Sequence, residues 1–472
     1  MSYRLASGVE LVEARGGPAL FTLTPLRLVR VNAALAEILE GGGDLVPRSS
    51  GEALALEALL ERGFLAYEPS PGHPAGRPPS ISVVIPVKDR AEELRRCLES
   101  LKRVRYRGED LEVLVVDDGS RDETRDVARS MGASVIPSGG EGRGPAAARN
   151  QGASQARGEV LAFLDSDCAA SEDWLAELAP MFEDPDVAAV GGRVNGMHVS
   201  SSLDRYEAEM SSLCLGARGR SGQHGKDTFY LPSCNLLVRR QDFAESGGFR
   251  EELQVAEDVD LSWRLRDQGR KIVYTPAGSI VHEHRNRLGA FLRRRFQYGT
   301  SEGLLQILHP ERRKRMVLPP ALAASVLLGA LSWLTASWIP AVLGAAVVAV
   351  DVLRLWAKLR RQTLRVSPIR VLRGRLRAWG SLVYYVSFHL TRYYAPVLIL
   401  IGIAWPSFGA LAVVLALWAG AVDYRMRRPD VVFPVFFGLY LAEHMAYGAG
   451  AFWGCLRRGT FRSYRPVVSA KG

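Results

Sequence analysis

Cysteine is scarce in this 472-residue chain: Cys97, Cys168, Cys214, Cys234 and Cys455 are odd in number, far apart and without a CxxC pair. That excludes a disulfide framework and a thiolate zinc ribbon, and it fits a reducing compartment. The opening "MSYRLASGVELVEARGG" lacks an apolar h-region, so no cleaved secretory signal is expected and residues 1–311 are expected to be cytoplasmic. Acidic residues are scarce at one end only. From Arg312 onward 22 Lys/Arg stand against 4 Asp/Glu, while residues 1–311 carry 38 against 46, so the overall +10 is not spread along the chain. The basic residues flank the longest apolar runs, which fits membrane borders better than a phosphate-binding surface and argues against nucleic acid as a partner.

Those runs cover 317–335, 338–350, 394–422 with a break at Pro406, and 431–455. A bilayer crossing takes roughly 20 apolar residues. Residues 312–472 therefore read as a membrane-associated helical region, its first pair of runs a tight or re-entrant hairpin. With the basic clusters at 312–315, 354–377, 425–428 and 457–465 all cytoplasmic, each apolar block enters and returns, multi-pass at the cell membrane. Buried helices of a soluble core are the competing reading, disfavoured because no polar face of comparable length accompanies the runs.

At the other end, "EPSPGHPAGRPPS" (68–80) is rich in Pro and Gly without an apolar period and reads as a linker. It sets off residues 1–67 as a small unit. Strands at "VELVE" and "ALFTLTP", helices over "AALAEILEGG" and "GEALALEALLERG" and a returning "FLAY" strand suggest a winged-helix-like module. Such a module is too small for a deep active site and is suited to binding.

Between linker and membrane region, residues 81–311 alternate strand and helix. "ISVVIPV" precedes "AEELRRCLESL"; "LEVLVVDDGS" precedes "RDETRDVARSMG"; "ASVIPS" precedes a glycine-rich loop and "PAAARNQGASQA"; "EVLAFLDSD" precedes "EDWLAELAPMF". Continuous Val/Ile/Leu runs are what a parallel sheet covered on both faces requires, so the fold class is an open, mostly parallel α/β sheet.

In such a sheet ligands bind outside the carboxyl ends of the strands, and acidic residues gather there. Lys88, Asp89 and Arg90 follow the first strand; Asp117, Asp118, Gly119 and Ser120 the second; Asp165, Ser166 and Asp167 the fourth. Carboxylates at one rim need a compensating cation or donors. Asp165 and Asp167, at i and i+2, can face one point; with no soft ligand beside them they favour Mg2+ or Mn2+. A lone DxD is also a common acidic loop. "GEGRGPAAARNQG" leads into a helix whose N-terminal amides suit a phosphate, with Arg149 on that helix; without a Lys-Ser/Thr pair it is no P-loop, and a plain connector competes with this reading. Glu257 and Asp258 open the helix "EDVDLSWRL", where capping alone accounts for acidic residues, yet a carboxylate opposite a bound diphosphate can act as a general base. His282 and His284, again at i and i+2, offer imidazoles to a metal, His282 preferred.

In this order, "SVVIPVKDR", "VVDDGS", "GPAAARNQG", "FLDSD", "CNLLVRR", "GGFRE" and "AEDVDLSWRL" resemble family 2 glycosyltransferases of the GT-A fold over about residues 81–300. The resemblance implies a nucleotide-sugar donor and inversion at the anomeric carbon. It places Pro86, Asp89, Asp117 and Asp118 at uracil and ribose, Arg149 and Asp165 at the nucleotide, Asp167 at the metal, and Asp258 as base. Leaving-group stabilisation would then count as much as base strength. One departure matters: processive synthases of the family carry Gln-x-x-Arg-Trp, whereas this chain has "RRRFQYG" with no Trp after Arg295. That favours few sugar additions over a long polymer. Residues 1–67 resemble PqqD-type modules that bind precursor peptides, and the whole arrangement is similar to the glycosyltransferases of the mycofactocin system. This implies UDP-glucose as donor, a peptide-derived redox cofactor as acceptor and a short β-1,4-glucan as product. Rival readings are a membrane transferase acting on a cell-wall glycan or polyprenyl phosphate, a non-enzymatic nucleotide- or peptide-binding scaffold, and, more weakly, a nucleotidyltransferase.

Overall fold

A computed structural model of the chain describes residues 2–23, 26–41, 45–47, 49–68, 77–106 and 111–470. Most of the proline-rich stretch 68–80 lies outside them. The chain forms two compact units, one built on residues 67–312 and the other on 2–66, 313–428 and 432–472.

The first unit is organised by an eight-stranded sheet. Its order is Arg220–Gly222, Lys271–Tyr274, Val187–Gly191, Asn235–Arg239, Val160–Leu164, Ile81–Val87, Glu112–Asp117 and Ser134–Pro137. The last four run parallel, as their continuous apolar runs require. Asn235–Arg239 lies antiparallel between Val160–Leu164 and Val187–Gly191. The sheet is therefore mixed at its centre, and the "CNLLVRR" motif is a strand.

Helices Ala91–Leu101 and Pro145–Gln155 follow their strands as the sequence predicts. "EDWLAELAPMF" is instead a short helix, Trp174–Leu178, tightening into a 3-10 turn. Gly152 lets the Pro145–Gln155 helix press onto the sheet, since any Cβ there would collide with Val84 and Val116. One face of the sheet buries Val84, Leu114, Val116, Phe163, Leu236 and Tyr274 against Phe243, Phe249, Leu261 and Leu265. A second, three-stranded sheet joins Cys168–Ala170, Ile280–His282 and Val194–Gly196.

The second unit combines the N-terminal residues with five helices: Pro320–Thr335, Ile339–Arg361, Pro368–Ala404, Pro406–Arg427 and Phe433–Arg458. Each carries proline at its first or second position, where the missing N–H has no helical partner to lose. Ile339–Arg361, Pro368–Ala404 and Pro406–Arg427 are long and apolar enough to cross a membrane, and this supports membrane association. Arginines or lysines fill the last turns of Ile339–Arg361, Pro406–Arg427 and Phe433–Arg458, where they complement both the helix dipole and a lipid headgroup layer.

Residues 9–30 form an antiparallel meander, Val9–Ala14, Gly17–Leu23 and Leu26–Arg30. Ser2–Leu5 pairs with Leu65–Glu68, and helices Ala33–Glu40 and Ser50–Glu61 complete the N-terminal part. The strands at 2–5 and 26–30 are additional to those read from the sequence. Ala14, Ala19 and Phe21 of the meander share a core with Val352, Leu359, Leu364 and Val371. The carboxyl half of Ile339–Arg361 thus has a protein face, and its amino half exposes Ile339, Val342 and Leu343.

Candidate active site

The acidic tips converge at the carboxyl ends of the central strands. Ile81–Val87 stops with Pro86 buried, and Asp89 turns the chain with φ at 49°. Its Oδ1 accepts from Arg121 N–H at 2.7 Å while its own N–H donates to Ser120 Oγ at 3.0 Å, so two neighbouring tips are laced together. Asp117 accepts from Ser120 N–H at 3.1 Å and from Arg125 Nε at 2.6 Å. Burial opposes its charge, but these donors from Ser120 and Arg125 hold its carboxyl below the usual range. Gly119, with φ at 83°, makes the turn between them. Asp118 binds the glycine-rich loop: it accepts from Ser138 Oγ at 2.7 Å, Arg143 N–H at 2.9 Å and Gly144 N–H at 2.9 Å. The loop is a pinned platform at the start of helix Pro145–Gln155, with Lys88 Nζ reaching to Gly142.

From that helix Arg149, buried, bridges two elements far apart in sequence. One nitrogen lies 2.6 Å from Asp165 Oδ1 and the other 2.7 Å from Glu257 Oε1. Phe249 lies under the guanidinium at 5.6 Å. The DSD tip and the helix Glu257–Asp267 therefore belong to one site. Ala256 enters that helix in the left-handed region, φ 66°, and so aims its first turn. Asp258 accepts from Ser233 N–H at 3.1 Å and from Val259 N–H at 2.8 Å. Burial, with the negative Glu257 beside it, pushes its carboxyl up to about 7. A base poised near neutrality is what proton abstraction from an alcohol calls for.

Asp167 faces the other way. Its Oδ2 is held by Arg90 at 2.6 Å, and its Oδ1 stands 3.6 Å from His282 Nε2. Burial raises its carboxyl, yet His282, Arg90 and Arg285 outweigh that and keep it below the usual range. The small sheet brings His282 here, because Cys168 and His282 are register partners and Glu283 N–H donates to Asp167 O at 2.9 Å. Ligand atoms of Asp167, Cys168 and His282 lie within 4.8 Å of one another. Asp165 is outside that grouping, its carboxylate engaged by Arg149. So is His284, whose ring packs 4.8 Å from His282 and is pushed down to about 3 by burial, with His282 and Arg295 adding to it.

Sequence reasoning gave no role to Arg90, Cys168 or Ser233. For Arg90 a signal was present: a basic residue at the first strand tip is the cation that buried carboxylates demand. A cavity of 410 Å3 lined by Arg285, Gly289, Ala290, Arg293, Arg294 and Gln297 adds positive charge, Arg285 acting on Asp167 and Arg294 on Glu257 and Asp165. Arg295 is buried and ion-paired with Glu207.

An open α/β sheet with a carboxylate tip, a pinned glycine loop and a facing acidic helix has the layout of a nucleotide-diphospho-sugar transferase. Residues 82–246 match the family model described as Glycosyl transferase family 2. Over 463 residues, 96% of this chain and 95% of the relative, the sequence is 31% identical to the pre-mycofactocin glycosyltransferase of Mycobacterium tuberculosis. It is 40% identical over 220 residues to the validoxylamine A glucosyltransferase of Streptomyces hygroscopicus subsp. jinggangensis, covering 40% of this chain and 52% of that one. Among solved structures, the mannosyltransferase PcManGT from Pyrobaculum calidifontis in complex with GDP-Man and Mn2+ aligns over 80% of this chain and 88% of its own, at 18% identity and a TM-score of 0.44. The chain belongs to glycosyl transferase family 2, with a catalytic unit of the GT-A fold.

Proposed function

We propose that this protein is an inverting hexosyltransferase that moves glucose from UDP-glucose onto a peptide-derived redox cofactor of the mycofactocin type, building a short β-1,4-glucan. The observation that carries the chemistry is the Arg149 bridge, which sets Asp258 against the DSD tip; the acceptor is supported by similarity along 96% of the chain to a pre-mycofactocin glycosyltransferase. Asp258 takes the acceptor hydroxyl's proton as that oxygen attacks C1. The bond from C1 to the phosphate oxygen breaks, and UDP departs on the opposite face. Glu257 serves the reaction through Asp258 and Arg149, keeping the base's proton affinity high and the helix in place.

Pro86, Asp89, Asp117 and Asp118 form the rim for uracil and ribose, Asp118 by fixing the loop. Arg149 and Asp165 border the nucleotide. A divalent cation is typical of the family, and the donor set fits one: Asp167 Oδ1 and His282 Nε2 face each other across 3.6 Å. Mg2+ or Mn2+ held there supplies positive charge for the departing diphosphate. The catalytic unit is cytoplasmic, the helical region multi-pass, and residues 1–67 a PqqD-type module for a peptide.

Full-length protein incubated with labelled UDP-glucose should transfer label to the peptide-derived cofactor as a β-glucoside. Label entering a polyprenyl-phosphate or glycan fraction instead would transfer the assignment to that acceptor, and no transfer to any of them would leave a scaffold.

A further inference from the structure

We infer that Asp260 is a positioning residue for the transfer reaction: from the back of the helix that carries Asp258 it fixes, through Arg264 and Arg250, the turn that supports Arg149, and through His309 it ties down the end of helix Leu288–Leu308. The inference rests on the transferase reading for the reaction that is served.

Asp260 lies in the first turn of Glu257–Asp267, two residues past the base, and positions i and i+2 of a helix face different ways. Asp258 meets Ser233, whereas Asp260 is fully buried among other partners. Capping does not account for it. Its oxygens accept from three side chains, none of them a helix N–H: Arg250 Nε at 3.1 Å, His309 Nε2 at 2.8 Å and Arg264 Nε at 2.8 Å. Burial opposes its charge, but His309 and Arg264 outweigh that and hold the carboxyl below the usual range.

Each partner leads back to the reacting groups. The fork of Arg264 also donates to Ser246 O and, at 2.5 Å, to Gly248 O, so one side chain clasps the turn in which Gly247 and Gly248 both have positive φ. The next residue, Phe249, lies under the Arg149 guanidinium. Asn150, the neighbour of Arg149, grips the main chain of Phe249 in both directions: Phe249 N–H donates to Asn150 Oδ1 at 2.8 Å, and Asn150 Nδ2 donates to Phe249 O at 2.8 Å. Arg149 then closes the ring on Glu257, in the same helical turn as Asp260. On the other branch His309 packs edge-on against Trp263 at 5.1 Å, and Arg312 donates to Trp263 O at 3.2 Å and to Asp267 Oδ1 at 2.6 Å. Helix Leu288–Leu308, which carries Arg294, is thereby fastened at its carboxyl end to the helix of the base.

What breaking the ring does follows from charge. The charged and titratable groups that face Asp258 are Glu257 on its own helix, Arg149 from Pro145–Gln155, and Tyr230 and Cys234 from the chain entering Asn235–Arg239. With the turn loosened, Arg149 loses its floor and its hold on Glu257. Repulsion from Glu257 then goes uncompensated and the attraction of Arg149 fades, so Asp258 should bind its proton more tightly.

Full-length Asp260→Asn is assayed across pH with labelled UDP-glucose and the peptide-derived cofactor, and rates are expressed per folded molecule from circular dichroism. Its kcat should fall about 10- to 100-fold while UDP affinity, measured calorimetrically, stays within about threefold. The midpoint of kcat/KM should move up by on the order of half a pH unit. His309 supplies the test with Asp260 intact. His309→Gln keeps a donor for the carboxylate and should stay within about threefold of wild type; His309→Phe keeps a ring against Trp263 but no donor, and should show the same upward shift with a rate loss of about fivefold or more. A lower melting temperature in Asp260→Asn with kcat per folded molecule within about twofold and an unchanged midpoint would overturn the inference, as would equal losses in the two His309 variants. Hydrogen exchange over residues 246–251, read by mass spectrometry, separates the inference from the transferase reading. Faster exchange there in Asp260→Asn of a protein that transfers no sugar would leave the ring standing and remove the transferase reading, whereas sugar transfer with unchanged exchange would do the reverse.

Discussion

The guanidinium of Arg149 and the carboxylate of Asp165 meet at 2.6 Å, and the free end of the same guanidinium holds Glu257 at 2.7 Å. A strand tip and the first turn of a helix ninety residues further along are thereby held by one buried cation. The position of Glu257, and with it that of its neighbour Asp258, is thus tied to the DSD tip through one side chain.

Removing that cation should be expensive. Arg149→Met leaves two carboxylates facing a vacated interior position, and breaking a buried pair costs about 3–5 kcal/mol. Thermal unfolding should show a fall of that order, and transfer should be lost. Arg149→Lys supplies one point charge where a fork spans two partners, so stability should recover more than activity. Equal recovery of both would show that the bridge positions nothing.

Asp258→Asn removes the carboxylate proposed as the proton's acceptor. A general base contributes about 10²–10⁴-fold, so kcat should fall within that range while UDP affinity, measured calorimetrically, changes by no more than a few-fold. Transfer within tenfold of wild type would take the base role from Asp258.

The raised carboxyl of Asp258 also has a signature in pH. In the free enzyme kcat/KM should rise with pH through a midpoint near pH 7 and level off above it, since only the ionised form accepts a proton. Stability runs the opposite way. A carboxyl pushed above its unfolded value is bound to its proton more tightly in the folded state, so its stabilising effect is full below the ordinary Asp range, about pH 4, and is lost as pH rises to about 7. Asp258→Asn should flatten that decline. In Glu257→Gln the repulsion is gone and Arg149 is released toward Asp258, so the kinetic limb should move to lower pH; a shift to higher pH contradicts the arrangement.

Ala256 occupies a left-handed conformation at φ 66°, which costs a residue with a Cβ about 1–2 kcal/mol. Ala256→Gly relieves that strain at some entropic cost in the unfolded chain. Unfolding free energy should stay level or rise by up to about 1 kcal/mol, with kcat within twofold. A marked loss of stability would mean that the methyl group, rather than the backbone, matters at this turn.

Much of this site was legible in the sequence because parallel strands covered on both faces announce themselves as Val/Ile/Leu runs, and their carboxyl ends are then known positions. Asp89, Asp117, Asp118, Asp165 and Asp167 could be placed on one rim for that reason. What joins them was not legible. Whether Arg149 faces the nucleotide or a carboxylate depends on how closely its helix approaches the sheet, which Gly152 decides through contact with Val84 and Val116. The meeting of Cys168 with His282 depends on two three-residue strands too short to carry a period. The strand Asn235–Arg239 was seen as a motif, and its antiparallel direction follows only from its neighbours.

The N-terminal meander offers a test of a different kind. Phe21 is buried against residues of the helix Ile339–Arg361 and the turn after it, among them Val352, Leu359 and Leu364. Glu10 and Arg370 form an ion pair at the edge of the same contact, and Arg15 N–H donates to Gln362 O at 3.0 Å. The exposed ion pair adds little, so the apolar contact must supply most of the attachment. Phe21→Ala should therefore cost about 3–5 kcal/mol locally, and limited proteolysis should release the first 67 residues far faster than in the wild type. Glu10→Gln should leave the cleavage rate within about twofold. If both variants resist protease like the parent, the meander is held by something other than the core that Phe21 fills.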